Sequence, residues 1–178
     1  MQGVFPLKIR EDSPVKEALN LLHREKDKQF EDECEEIANN TLGKQFVEKG
    51  INNFQRISKT FPKKPECGEI DLLAVNPNNN NVFVLDAKND AFKYSPPDIK
   101  NQDKSFFGKD SYYEHLIKKV KFIEKNLDVV LEHFSIEEST DITIKKGFII
   151  KETIQHAYKK GIDVDFVLKR DLGKYLLE

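Results

Sequence analysis

A chain of 178 residues is long enough for one domain whose core needs no metal or disulfide staple. Twenty-nine Lys and Arg stand against 31 Asp and Glu, a net charge of −2, so no overall field draws in a polyanion and any nucleic-acid surface has to be local. The longest apolar runs fall well short of the roughly 18 residues of a spanning helix, and Met1-Gln2-Gly3-Val4 does not open a charged-then-apolar leader, which argues for a cytoplasmic protein with no membrane partner. Cys34 and Cys67 lack metal or redox spacing and read as buried thiols of a reducing compartment.

Ser13-Pro14 is an N-cap followed by proline in the first helical turn, and Val15, Ala18, Leu19 and Leu22 then share one face of a helix over 14–26. Residues 1–27 read as an N-terminal helical extension and 28–178 as the domain proper. A second helix, from Lys28 to Lys49, carries Phe30, Cys34, Ile37, Ala38, Leu42 and Phe46 at spacings of three and four, with most of its acidic cluster on the solvated side. Gly50 is placed to stop it, and Ile51 to Ser58 reads as a strand.

Two apolar strands follow, at 69–75 and 82–88, joined by the Asn-rich turn. Ile70, Leu72 and Ala74 with Phe83 and Leu85 form one face of this hairpin; Leu73 and Val75 with Val82 and Val84 form the other. Strands apolar on both faces belong in the centre of a helix-covered sheet. The polar segment 89–110, with Pro96-Pro97, reads as a long loop. Beyond it come a strong helix over 111–133, a strand over 143–152, a short helix over 153–160, a strand over 163–168 and a last helix over 171–177. The fold class is α/β, a central mixed sheet flanked by helices.

Three charged groups interrupt the hairpin. If the turn is centred between Asn78 and Asn79, Asp71 lies opposite Asp86, and Glu69 opposite Lys88. Opposed residues on one face have Cβ atoms roughly 4.5–5.5 Å apart, where like charges repel. Two such carboxylates require a cation, a shared proton or an exit to water. A hard divalent ion, held by one or two carboxylates and completed by water and phosphate oxygens, meets that demand. Lys88, two residues from Asp86, shares its side of the strand and is placed to orient or deprotonate a metal-bound water, or to offset charge on a phosphate.

Asp71 followed by Asp86-Ala87-Lys88 resembles the PD-(D/E)XK nuclease signature. Gly68-Glu69-Ile70-Asp71-Leu72-Leu73-Ala74 with Val84-Leu85-Asp86-Ala87-Lys88-Asn89 is similar to the nuclease-related (NERD-like), Mrr-like and junction-resolvase branches of that superfamily. The resemblance implies a restriction-endonuclease-like α-β-β-β-α-β core over about 30–168, dependence on Mg²⁺ (with Mn²⁺ as a substitute) and hydrolysis of DNA phosphodiesters. It makes Asp71, Asp86, the Ala87 carbonyl and a helix acid the metal ligands and Lys88 the catalytic residue that assists the attacking water. Ile70 stands where the signature has proline, and Asp86 replaces the commoner Glu. For the helix acid, Glu31 lies nearest the centre of the stripe formed by Phe30, Cys34, Ile37, Ala38 and Thr41; Glu35 is next, Glu33 is off to the side, and Glu36 enters only if the helix is rotated. Tyr113 or His115 is placed to face the site from the 111–133 helix, and Lys118-Lys119-Lys121 either touches phosphates or is an ordinary solvated face.

The four histidines never fall at His-x-x-x-His spacing, neither Gly-Lys pair has the upstream glycine of a phosphate-binding loop, and no Gly-x-Ser-x-Gly elbow exists. The expected function is a metal-dependent DNA endonuclease domain, alone, as a homodimer or joined to other domains. The rival is a nuclease-fold module without catalysis that serves binding or assembly in a larger defence or repair protein.

Overall fold

The computed structural model describes residues 13–136, 141–154 and 161–178. Helix α1 (Pro14–Leu42) begins where Ser13 caps it, its side chain accepting from the Lys16 N–H with Pro14 in the first turn. The helices read from sequence over 14–26 and 28–49 are one helix, because nothing between Lys26 and Lys28 breaks the backbone. Its stop is Gly43, at φ 95° with its N–H bonded to the Asn39 carbonyl, and not Gly50. From Glu17 to Gln29 every residue is exposed; burial starts at Phe30 and continues through Cys34 and Ala38.

With the helix ending early, the first strand also moves forward: β1 is Val47–Ile51, and Gly50 lies inside it at φ 58°. The residues expected to continue a strand form a 3-10 turn at Phe54–Arg56, started by the Asn53 side chain accepting from Gln55 N–H. Strands β2 (Ile70–Asn76) and β3 (Asn81–Lys88) pair antiparallel with Leu72 opposite Leu85 and Val75 opposite Val82, the register that a turn centred between Asn78 and Asn79 requires. Ile70 departs from its expected face and packs with Leu73, Val75 and Ile51. It pairs with Ile51 immediately after the left-handed Gly50, where the backbone of β1 turns.

The polar stretch 89–110 contains a helix, α2 (Pro96–Phe107), opened by the same Ser-Pro device as α1: Ser95 accepts from Asp98 N–H and Pro96 leads. Helix α3 (Tyr112–Lys125) is separated from α4 (Leu127–His133) by Asn126, whose side chain donates to the Phe122 carbonyl at 2.7 Å and so diverts the helical ladder. Then come β4 (Thr143–Ile150), β5 (Asp165–Leu168) and α5 (Leu172–Leu177). The helix expected over 153–160 lies, beyond its first two residues, outside the described residues.

The described strands form one open sheet in the order β1-β2-β3-β4-β5, with β1, β2 and β3 antiparallel neighbours and β4 and β5 parallel to β3. Helices cover both faces. Leu73, Val75, Val82 and Val84 pack toward Leu116, Val120 and Ile123 of α3 and Val130 of α4. Leu72, Ala74, Phe83 and Leu85 pack toward Phe30, Cys34 and Ala38 of α1 and Leu172 and Leu176 of α5. β3 is therefore buried on both sides, and any charge at its end is held in a low-dielectric setting. No helix among the described residues is long and apolar enough to cross a membrane.

Candidate functional site

Alternation along β3 carries Asp86 to the same face as Val82 and Val84, toward α3, and Lys88 one step further on that face. Asp71 leaves β2 on the same side. Its Oδ2 accepts from the Ala87 N–H at 2.9 Å and lies 3.5 Å from Lys88 Nζ; Asp86 Oδ2 lies 3.7 Å from the same ammonium. The two carboxylates and Lys88 thus converge, as the register argument required.

A fourth charge joins them. Lys119, from α3, is 6% exposed and reaches Asp86 Oδ1 at 2.6 Å and Asp71 Oδ1 at 4.0 Å. Lys119 was missed as a site residue because it sits inside the run Lys118-Lys119-Lys121. Its phase was the available signal: three residues after Leu116 and four before Ile123, it belongs to the apolar stripe and not to the solvated face. The cation that the paired carboxylates demand is thus supplied in this structure by two lysines, so the electrostatic demand alone does not require a metal. Tyr112, and not Tyr113 or His115, faces the cluster, its ring centroid 5.0 Å from Lys88 Nζ. Tyr113 packs against Phe107, and His115 pairs with Asp110 at 3.3 Å. Glu69, expected opposite Lys88, is exposed.

Burial pushes the Asp71 carboxyl above its ordinary range and the Asp86 charge adds to this, only partly offset by Lys88, Lys119 and the Ala87 N–H. For Lys88, burial opposes the charged form, yet Asp86 and Asp71 outweigh it and hold the ammonium above its usual value. Within 3.5 and 3.7 Å of the two carboxylates, Lys88 is placed to offset charge on a phosphate or to orient a water beside them. Glu31 is half-buried, its carboxyl raised first by burial and next by the Asp71 charge, so it stands in the field of the cluster. The other helix acids are engaged elsewhere or turned out: Glu33 with Lys169, Glu35 with Lys49 at 3.7 Å, and Glu36 exposed.

No protein-family model, curated protein or solved structure matches this chain.

Among the described residues, no three His, Cys, Asp or Glu side chains come together as a metal-holding group. The donor chemistry nonetheless fits a hard divalent ion that needs only one or two carboxylates. Asp71 Oδ1 and Asp86 Oδ2 are left with only the longer ion pairs, 4.0 Å to Lys119 and 3.7 Å to Lys88. Ala87 meets the cluster through its N–H, whereas the expected ligand was its carbonyl.

Proposed function

We propose that the chain is a metal-dependent DNA endonuclease domain of the PD-(D/E)XK type, with Asp71, Asp86 and Lys88 at its centre. The observation that carries this reading is the convergence of both carboxylates on the Lys88 ammonium, at 3.5 and 3.7 Å, on the α3 face of the sheet. The element order supports it as well: a helix, three strands, a helical stretch and a further strand follow in the α-β-β-β-α-β sequence that the resemblance implies. Asp71 and Asp86 would hold Mg²⁺ or Mn²⁺, with Glu31 in the field of the same cluster. Such an ion supplies charge stabilisation and an activated water for in-line hydrolysis of a phosphodiester. Lys88 would assist the attacking water or offset charge on the non-bridging oxygens of the attacked phosphate. Asp71 must be ionised to serve.

The test is cleavage of supercoiled plasmid and of end-labelled duplex, single-stranded and junction DNA with Mg²⁺ or Mn²⁺. The wild-type chain is expected to cut at least one of these, and Lys88→Ala and Asp71→Asn to cut about a hundredfold more slowly or less. Absence of cleavage of every substrate at high protein concentration would sink the proposal.

One observation favours a second reading. The 2.6 Å pair between buried Lys119 and Asp86 completes a cluster of two acids and two lysines whose charges cancel without any metal. A nuclease-fold module used for binding or assembly would look like this, and it would bind DNA or a protein partner without cutting.

A further inference from the structure

Of the four charges in the cluster, Lys119 is the one to which the proposed reaction gives no task. It is also the more deeply held of the two lysines, its side chain 8% exposed against 18% for Lys88. It leaves α3 among Leu116, Val120 and Ile123, all buried in the core on that face of the sheet. Its ammonium stands 2.6 Å from Asp86 Oδ1 and 4.0 Å from Asp71 Oδ1, while Lys88, at the end of β3, keeps to 3.5 and 3.7 Å from the other oxygen of each acid. Separating a buried ammonium from its carboxylate strands both charges. Lys119 therefore stays on Asp86 when another cation arrives, and Lys88, longer in its contacts and more exposed, is the lysine with room to give way.

A metal arriving at Asp86 meets charges that already balance, two carboxylates against two ammonium groups. A divalent ion adds two more positive charges where burial keeps screening weak, and it has to share Asp86 with a fixed ammonium. We infer that Lys119 is a resident counter-ion that competes with the metal for Asp86 and so sets the metal affinity of the site. It is a positioning residue: it acts through Asp86, holding the paired carboxylates together without a metal and making the ion bind less tightly than two acids alone would. The inference rests on the metal-dependent reading of the cluster and adds the residue that governs how readily the metal loads.

The sign of one substitution separates this role from scaffolding. A lysine that only supports the site would, when removed, loosen the carboxylates and weaken metal binding; removal of a competing charge strengthens it. The full chain is titrated with Mn²⁺ in the absence of nucleic acid, the free ion being read by its electron paramagnetic resonance signal. Lys119→Met, and Lys119→Gln, which keeps a donor for Asp86, are expected to bind Mn²⁺ about ten- to a hundredfold more tightly than wild type. Lys125→Met, which removes a charge from an exposed position of the same helix, is expected to stay within about twofold of wild type. Denaturant curves with and without Mn²⁺ read the same binding in a chain that the substitution has destabilised: the ion is expected to raise the midpoint of both Lys119 variants by more than it raises that of wild type. Affinity equal to or below wild type in both Lys119 variants, or no added stabilisation of them by Mn²⁺, overturns the inference. Tighter Mn²⁺ binding by the variants of a chain that cuts no DNA upholds it and rejects the endonuclease. Metal-dependent cleavage by a wild type whose Lys119 variants bind Mn²⁺ no more tightly does the reverse.

Discussion

Asp86 is 2% exposed, and the charge it carries is tolerated because Lys119 and Lys88 sit against its two oxygens. Removing one partner of a buried pair leaves the other charge uncompensated, which typically costs about 3–5 kcal/mol. Lys119→Met is therefore expected to lower the unfolding free energy, read from denaturant curves, by that order, at the low end because Lys88 remains. Adding Asp86→Asn recovers part of the loss by removing the stranded charge, and a double mutant no more stable than Lys119→Met would show that the pair does not carry the effect. Asp71 makes a pH prediction of definite sign. Its folded-state affinity for the proton is above the unfolded one, since burial and then Asp86 raise it. The native state therefore binds more protons than the unfolded state between the ordinary carboxylate range and the raised value, and stability declines as pH rises through that window. Unfolding curves in chelator should show the wild type losing stability over that window relative to Asp71→Asn; parallel pH profiles would contradict it. Asp71, Asp86 and Lys88 were legible because charges inside apolar strands are conspicuous. Lys119 was hidden because a lysine between two lysines looks solvated, although its helical phase marked it as inward.

The hairpin was the most readable element, for a reason lodged in its turn. Asn76 Oδ1 accepts from the Asn78 N–H, Asn79 Oδ1 accepts from the Asn81 N–H, and Asn80 takes a left-handed φ of 55° that asparagine tolerates. These bonds pin the loop, and Asn76 Nδ2 ties the strand end to the Leu176 carbonyl of α5 at 2.8 Å, so a one-residue slip would break several contacts at once. That rigidity is what brings Asp71 and Asp86 to one face. The elements around it were less readable because local signals competed. Gly50 reads as the helix stop, yet Gly43, seven residues earlier, takes that role with a φ of 95° and its N–H bonded to the Asn39 carbonyl. In α2, Pro96-Pro97 looked like a loop marker, and the helix has just two buried side chains, Gln102 and Phe106, too few to make an apolar period. Yet Ser95-Pro96 repeats the Ser13-Pro14 start signal, so the cap, not the stripe, was the readable feature there.

For the molecule as a whole, a net charge of −2 means that a polyanion must be met by an uneven distribution of charge. Such a local surface exists beside the carboxylate cluster. A groove of ≈ 540 Å³ runs between the segment before β2 and α3; Lys64, Lys118 and Lys121 border it, with Pro65 and Phe122 in its floor and Glu66 as its single acid. Cys67 also lines it, and its two α3 lysines, Lys118 and Lys121, flank Lys119 of the cluster on the same helix. Lys118 and Lys121 are thus on the solvated side of α3 while Lys119, between them, turns in: one helix supplies both a candidate backbone contact and a site charge. If DNA lies along this groove, each lysine that neutralises a phosphate releases counterions, and log K falls with log salt at about 0.9 per contact. The triple variant Lys64→Ala, Lys118→Ala, Lys121→Ala should therefore bind duplex DNA more weakly and with a salt slope shallower by about 2–3, measured by fluorescence anisotropy across roughly 50–200 mM salt in chelator. The cluster residues are untouched by these substitutions, so the effect belongs to backbone tracking and not to chemistry. An unchanged slope would place the DNA path elsewhere and leave the three lysines as an ordinary solvated face.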